Sequence, residues 1–302
     1  MKLQFPKLFL TLILFFVYNN IFYSQSNRNK IFDEYLTQYL EIKNVPSISA
    51  GLLENGEIIW NNSIGKSDIE NNVPISTSSL YRIASISKPI TAVAILQLWE
   101  KGFLNLDADV RTYLLNFPAK KYKFTVRQLL SHTAGIRNYR EGEFDSKKFY
   151  PTTDDALKLL TYDSLVFEPG TKYAYTSLGY NLLAAIIEKV SKKSYEDYLK
   201  ENIFLPAGMQ STKVDKQSEI ILNRTRGYEN NEFRRIVNAP LADLSIKIAG
   251  GGLLSTTKDL LLFSKALMEN KLLKQSTLDM MGKRTKLKSG REINYGLGFS
   301  LD

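Results

Sequence analysis

The chain has 302 residues, 44% hydrophobic and 24% charged, which is the balance of a globular chain long enough to bury a large core. It has no cysteine, which excludes disulfide frameworks, thiol nucleophiles, iron–sulfur clusters and lipoprotein acylation; a single histidine excludes two- and three-histidine metal sites. The formal charge of +9 is scattered along the chain, and a hydrolase that needs neither thiol, metal nor cofactor remains open.

Lys2 and Lys7 precede the apolar run Leu8 to Val17, too short to span a bilayer comfortably and suited to the core of an export signal. Cleavage after Ser26 places the small Ser24 at the −3 position, so residues 1–26 read as a signal peptide and the protein as periplasmic or secreted. The alternative is an uncleaved membrane anchor. Phe32, Tyr35, Leu36, Tyr39 and Leu40 then recur at helical spacing, which predicts an amphipathic helix to about Lys43, ended by Pro46. SISAGLL, Asn55-Gly56 and EIIW predict a hairpin, because Asn-Gly tolerates the positive φ of a tight turn. A second helix is expected from Ala84 to about Lys101, closed by Gly102, and its all-apolar Ala92–Leu96 stretch places it centrally. The middle of the chain, to about Lys247, reads as mainly helical: Leu182 to Val190 is one helix, and Ser194 to Asp197 a capping box for the next. REINYGLGF returns to strand character. Strands first, helices in the middle and strands last predict an α+β fold, an antiparallel sheet flanked by helices plus a mainly helical lobe.

The chemistry concentrates at Ser85-Ile86-Ser87-Lys88. A serine hydroxyl is a poor nucleophile until a neighbouring base takes its proton, and residues three apart share a helix face, so the Lys88 amine can lie beside Ser85. Burial would lower the lysine's pKa into the range of a base, and the helix start supplies an N–H and a positive field for an oxyanion. Two other copies of the spacing are weaker. Ser63 and Lys66 follow a strand, where side chains three apart point to opposite faces, and Ser255 to Lys258 reads as a helix start capped by Thr256 with Asp259.

The run RIASISKPITAVAILQLWEKGFLNLDADV, then LLSHTAGI, FEPGTKYAYTSLGYNLLAAIIE and AGGGLLSTTKDLLLF resembles the serine β-lactamase and penicillin-binding-protein superfamily. It is most similar to its class C-type esterase and carboxypeptidase branch, in which the mitochondrial serine β-lactamase-like protein and its bacterial relatives fall. The similarity extends from about Ile31 to Phe299, so 31–302 is expected to form the hydrolase domain. The resemblance implies acyl transfer by Ser85 with Lys88 and with Tyr175 of Tyr175-Thr176-Ser177, where Ser177 replaces the commoner asparagine as a substrate-binding group. A tyrosine beside a lysine cation is expected to favour its phenolate and exchange protons with Ser85. A rival Tyr228-Glu229-Asn230 reads as a turn. His132 has only sequence-adjacent hydroxyls, the wrong geometry for a triad, and reads as structural. Gly250-Gly251-Gly252 lacks the residues of a phosphate loop and reads as close backbone packing. The basic GKRTKLKSGR reads as a solvated hairpin rather than a nucleic-acid surface.

The superfamily's third motif, K-T/S-G or H-x-G, normally follows a YGLGF-like segment. Lys288-Ser289-Gly290 precedes NYGLGF and reads as a hairpin turn instead. The third motif, the second oxyanion donor and the C-terminal strands are therefore expected beyond Asp302. The expected function is a serine hydrolase acting through an acyl-enzyme on peptide, D-alanyl peptide, ester or β-lactam substrates. The alternative is a penicillin-sensing or self-associating scaffold that kept the fold.

Overall fold

A computed structural model describes residues 27–301 of the protein, so the expected export segment lies outside the described residues. Helix α1 (27–43) turns Phe32, Leu36 and Leu40 inward, while Tyr35 and Tyr39 face solvent. The expected stripe was wider than the face that the i, i+4, i+8 spacing buries. Strands β1 (Ser47–Glu54) and β2 (Glu57–Asp68) form the expected hairpin around Asn55 and Gly56, both at positive φ, and β3 (Val73–Pro74) adds to β2. The Asp33 carboxylate of α1 accepts from the Trp60 indole at 2.9 Å and the Asn62 amide at 2.7 Å, which ties the helix to one face of this sheet. Because β2 continues to Asp68, Ser63 and Lys66 lie within a strand rather than after one.

Strand β4 (Tyr81–Arg82) leads into a 3₁₀ turn, Ala84–Ile86, and then α2 (Ser87–Glu100). The expected second helix is thus split, with the tighter turn carrying Ser85. The helical lobe follows as α3 (Val126–Leu130), α4 (Thr153–Leu157), α5 (Leu178–Ser191), α6 (Tyr195–Leu199) and α7 (Leu205–Ala207). Helix α5 starts four residues before the expected Leu182, directly after Ser177. The Ser194 hydroxyl caps α6 by accepting from the Asp197 N–H at 3.0 Å.

Short strands interrupt the stretch read as helical: β5 (Lys213–Val214), β6 (Tyr228–Asn230) and β7 (Ile236–Asn238). Tyr228-Glu229-Asn230 is therefore one arm of a hairpin, not its turn. Then come α8 (Ile248–Gly251), β8 (Leu253–Ser255), α9 (Thr257–Met268), α10 (Gln275–Met281), β9 (Thr285–Lys286) and β10 (Glu292–Ile293). Helix α9 packs on the opposite face of β1 from Trp60, where a Cβ on Gly51 would lie 2.8 Å from Leu261. The architecture is α+β, with helices on both faces of an antiparallel sheet and a helical lobe beside it.

Two contacts set the register of the site. Strand β8 pairs with both β4 and β5, and the Ile83 N–H donates to the Leu253 carbonyl at 3.0 Å, which locks the turn bearing Ser85 to the segment after Gly250. Helix α2 runs through the core with Ile90 and Ala92 to Leu96 fully buried, and its Thr91 hydroxyl reaches the Ala249 carbonyl (2.8 Å) and the Tyr195 hydroxyl (2.7 Å). Thr91→Val keeps the shape and leaves those buried oxygens short of a partner. It is expected to lower stability by about 1–3 kcal/mol, read as a shift of the urea midpoint at unchanged slope.

Candidate active site

Ser85 sits in the 3₁₀ turn with its side chain exposed, following Ala84, whose backbone lies in the left-handed region at φ +45°. One turn on, Lys88 is 1% exposed. Its Nζ has three oxygen neighbours: the Ser85 hydroxyl at 3.1 Å, the Ser177 hydroxyl at 3.0 Å and the Gly250 carbonyl at 2.7 Å. Each comes from a different element, the turn before α2, the start of α5 and the helix α8. Burial, assisted by the Lys247 cation, pulls the Lys88 pKa down to about 7.

Tyr175 lies in the loop before α5 with its hydroxyl beside Ser85, and Lys88 Nζ is 4.6 Å from the centre of its ring. The expectation that the lysine would favour the phenolate is not met. Burial raises the Tyr175 pKa, the contact with Ser85 opposes it only in part, and the amine lies against the ring face. The phenol is therefore neutral near pH 7. Ser177 is buried at the N-cap of α5, with its hydroxyl turned to Lys88. A Cβ on Gly250 would lie 2.8 Å from the Ser177 carbonyl, so only glycine lets α8 approach closely enough to present its carbonyl to the amine. Close backbone packing is thus the role of this glycine.

His132 is buried in a ring of tyrosines, with Tyr175 at 4.3 Å, Tyr295 at 4.7 Å and Tyr180 at 5.2 Å between ring centres. Its Nδ1 accepts from the Thr176 N–H at 3.2 Å, which makes Nε2 the protonated nitrogen and donor to the Tyr295 hydroxyl at 3.1 Å. Its carbonyl accepts from the Ala174 N–H at 3.0 Å. The imidazole thus pins the segment that carries Tyr175, a structural role, and burial with the Lys88 charge lowers its pKa to about 3.

The remaining candidates lie elsewhere. Ser63 pairs with Ser49 at 2.7 Å while Lys66 is exposed, and Ser255 pairs with Thr212 at 2.8 Å while Lys258 is exposed. Thr256 caps α9 by accepting from the Asp259 N–H, but the Asp259 carboxylate turns to the Ser211 and Thr212 amides instead of completing the box. Lys288-Ser289-Gly290 forms the turn between β9 and β10, with Gly290 at φ +84° and Lys288 paired with Glu168 at 2.5 Å. A cleft of about 610 Å³ between Tyr113, Leu115, Phe117, Leu157 and Val190 shares no residue with the Ser85 group. Among the described residues no cluster of acidic or imidazole groups is placed to hold a metal ion, and no helix is long and apolar enough to cross a membrane.

Two residues escaped the sequence reading. Lys247 precedes α8, donates to the Phe144 carbonyl at 2.6 Å and has its pKa lowered to about 8, by burial first. A single charge inside the apolar run Ile246–Ala249 was the signal for it. Tyr139, beside Ser177, had no spacing signal at all.

Residues 32–302 match the sequence profile of the family described as Beta-lactamase. The chain belongs to the serine β-lactamase and penicillin-binding-protein superfamily. It is 32% identical to the mitochondrial serine β-lactamase-like protein of Bos taurus over 74% of this chain and 53% of that protein. It is 34% identical to penicillin-binding protein 4* of Bacillus subtilis, over 82% and 58%. The chain thus spans just over half the length of these relatives. The octameric penicillin-binding protein homologue from Pyrococcus abyssi superposes with a TM-score of 0.74 at 28% identity, over 88% of this chain and 63% of that one. Members of the superfamily are serine hydrolases.

A neutral buried imidazole makes stability depend on pH. Unfolded, His132 takes a proton near its ordinary 6.5; folded, it does not until about 3. The unfolded state therefore binds more protons between those values, and stability is lost as pH falls through that window. Between pH 7 and 5 wild type is expected to lose about 2 kcal/mol more than His132→Gln, measured by urea unfolding at both pH values.

Proposed function

We propose that the protein is a serine hydrolase that works through an acyl-enzyme on Ser85. The observation that carries this reading is the Lys88 amine, buried, close to half neutral at pH 7 and 3.1 Å from an exposed serine hydroxyl. Ser85 Oγ attacks the acyl carbon while its proton passes to Lys88 Nζ. The oxyanion forms beside the Ser85 N–H in the first helical turn, where the peptide dipoles favour negative charge. When the tetrahedral intermediate collapses, the bond to the leaving group breaks and the neutral Tyr175 phenol supplies its proton, leaving a phenolate that later takes a proton from the attacking water while the Lys88 ammonium returns its own to Ser85. Water attacks the ester by the reverse proton route.

A penicillin-binding relative supports an amide carbonyl as the acyl group, which peptides, D-alanyl peptides and β-lactams share; esters meet the same chemistry with a better leaving group. In the same reading residues 1–26 direct the chain out of the cytoplasm.

A fluorophosphonate or fluorescent penicillin is expected to label wild type at Ser85 and not Ser85→Ala; equal labelling of both sinks the assignment. Acylation should rise with pH through about 7, as Lys88 loses its proton. Lys88→Ala and Tyr175→Phe should each slow it by roughly 10²-fold or more. The double variant should lose little beyond the worse single one, since both residues serve one proton transfer.

A further inference from the structure

The three oxygens around Lys88 leave its amine little freedom. The Gly250 carbonyl, at 2.7 Å, only accepts, so one N–H is committed to it. A neutral amine then has one more N–H and one lone pair to divide between two hydroxyls, Ser85 at 3.1 Å and Ser177 at 3.0 Å. If the N–H goes to Ser177, the lone pair points at Ser85 and can take its proton. If Ser177 donates to the lone pair, the amine can only donate to Ser85 and is no base toward it. The direction of the Ser177 O–H selects between these two arrangements.

The group placed to decide that direction is Tyr139. Its oxygen is shut off from water, lies beside the Ser177 hydroxyl and makes no short, well-aligned hydrogen bond to any group. A buried oxygen in that condition is costly, and an O–H turned toward it recovers part of the cost. The residue is fixed from both sides. Its ring packs edge-on against Phe144 at 5.5 Å with Lys247 Nζ 5.4 Å from its centre, and the preceding Asn138 side chain accepts from the Ser177 N–H at 3.2 Å. We propose that Tyr139 is a positioning residue: its hydroxyl accepts the Ser177 proton, which makes Ser177 an acceptor for Lys88 and holds the Lys88 lone pair on Ser85. The inference rests on the roles of Ser85 and Lys88 given above.

The groups that bear on the titration of Lys88 are the rings of Tyr175 and Tyr180, the imidazole of His132 and the cation of Lys247; Glu143, Tyr175 and Lys247 face Tyr139. None is altered by Tyr139→Phe, which removes one oxygen and keeps the ring in its packing.

The test is a ¹³C-lysine NMR titration of the full chain, with the Lys88 Cε signal assigned by its loss in Lys88→Met, alongside labelling of Ser85 by a fluorophosphonate. In Tyr139→Phe the ammonium form loses a properly oriented acceptor and the neutral form gains the Ser177 donor. The Lys88 midpoint is therefore expected to move down in pH, and labelling to slow by about two- to tenfold. In Ser177→Ala, adding Tyr139→Phe should change neither. A midpoint untouched by Tyr139→Phe, or displaced equally with and without Ser177, overturns the proposal. The titration needs no turnover, so wild type that never labels at Ser85 refutes the hydrolase reading while the midpoint still decides on Tyr139.

Discussion

An ammonium group taken out of water without a carboxylate beside it must shed its proton, find oriented dipoles, or do some of each. Lys88 does both. Its pKa falls to about 7, and the Gly250 carbonyl with two hydroxyls replaces the lost hydration. Neither half would suffice alone. A fully solvated lysine would hold its proton too tightly to take one from serine, and one buried without acceptors would leave polar hydrogens unpaired.

The fold can be understood as the means of bringing those oxygens together. Residues 85, 177 and 250 are far apart in sequence, and each is presented by a different kind of local structure. Ser85 sits on a tight turn locked to β8 through the Ile83–Leu253 hydrogen bond. Ser177 stands at the N-cap position of the core helix α5, whose approach is pinned by His132 through Thr176. Gly250 offers a main-chain oxygen because the absence of a side chain lets α8 lie against Ser177. The bond from Thr91 to the adjacent Ala249 carbonyl ties α8 back to the helix that bears the lysine. Of the tyrosines around His132, Tyr175 and Tyr180 lay their rings against the amine.

The sequence made some of this legible and hid the rest for physical reasons. Ser85 and Lys88 could be paired because a helix fixes the geometry of residues three apart, and the Asn55-Gly56 hairpin because that turn demands positive φ. The same local logic failed at Tyr228, where a polar stretch read as a turn became a strand through its pairing with β7. It also misjudged Tyr175. A neighbouring lysine was expected to draw out the phenol's proton, but whether a cation meets the oxygen or the ring face depends on tertiary placement. Gly250 was read correctly as packing, yet that its carbonyl would serve the lysine was invisible, since any residue has a carbonyl. Tyr139 reaches the site only through the loop that folds over from Arg137 to Tyr150, whose Phe144 carbonyl also holds Lys247, and no period in the sequence encodes that fold.

Ala84 carries a further implication. A residue with a Cβ held in the left-handed region costs about 1–2 kcal/mol relative to ordinary backbone, and here it immediately precedes the exposed Ser85. The surrounding β4–β8 pairing holds it there, so part of the folding energy is stored as tension at the mouth of the site. Selection for heat resistance alone would meet this position early, since glycine or asparagine relaxes such a bend. The same relaxation would free the turn to swing and let Ser85 drift off the amine. Durability and the placement of Ser85 against Lys88 thus pull in opposite directions at a single residue.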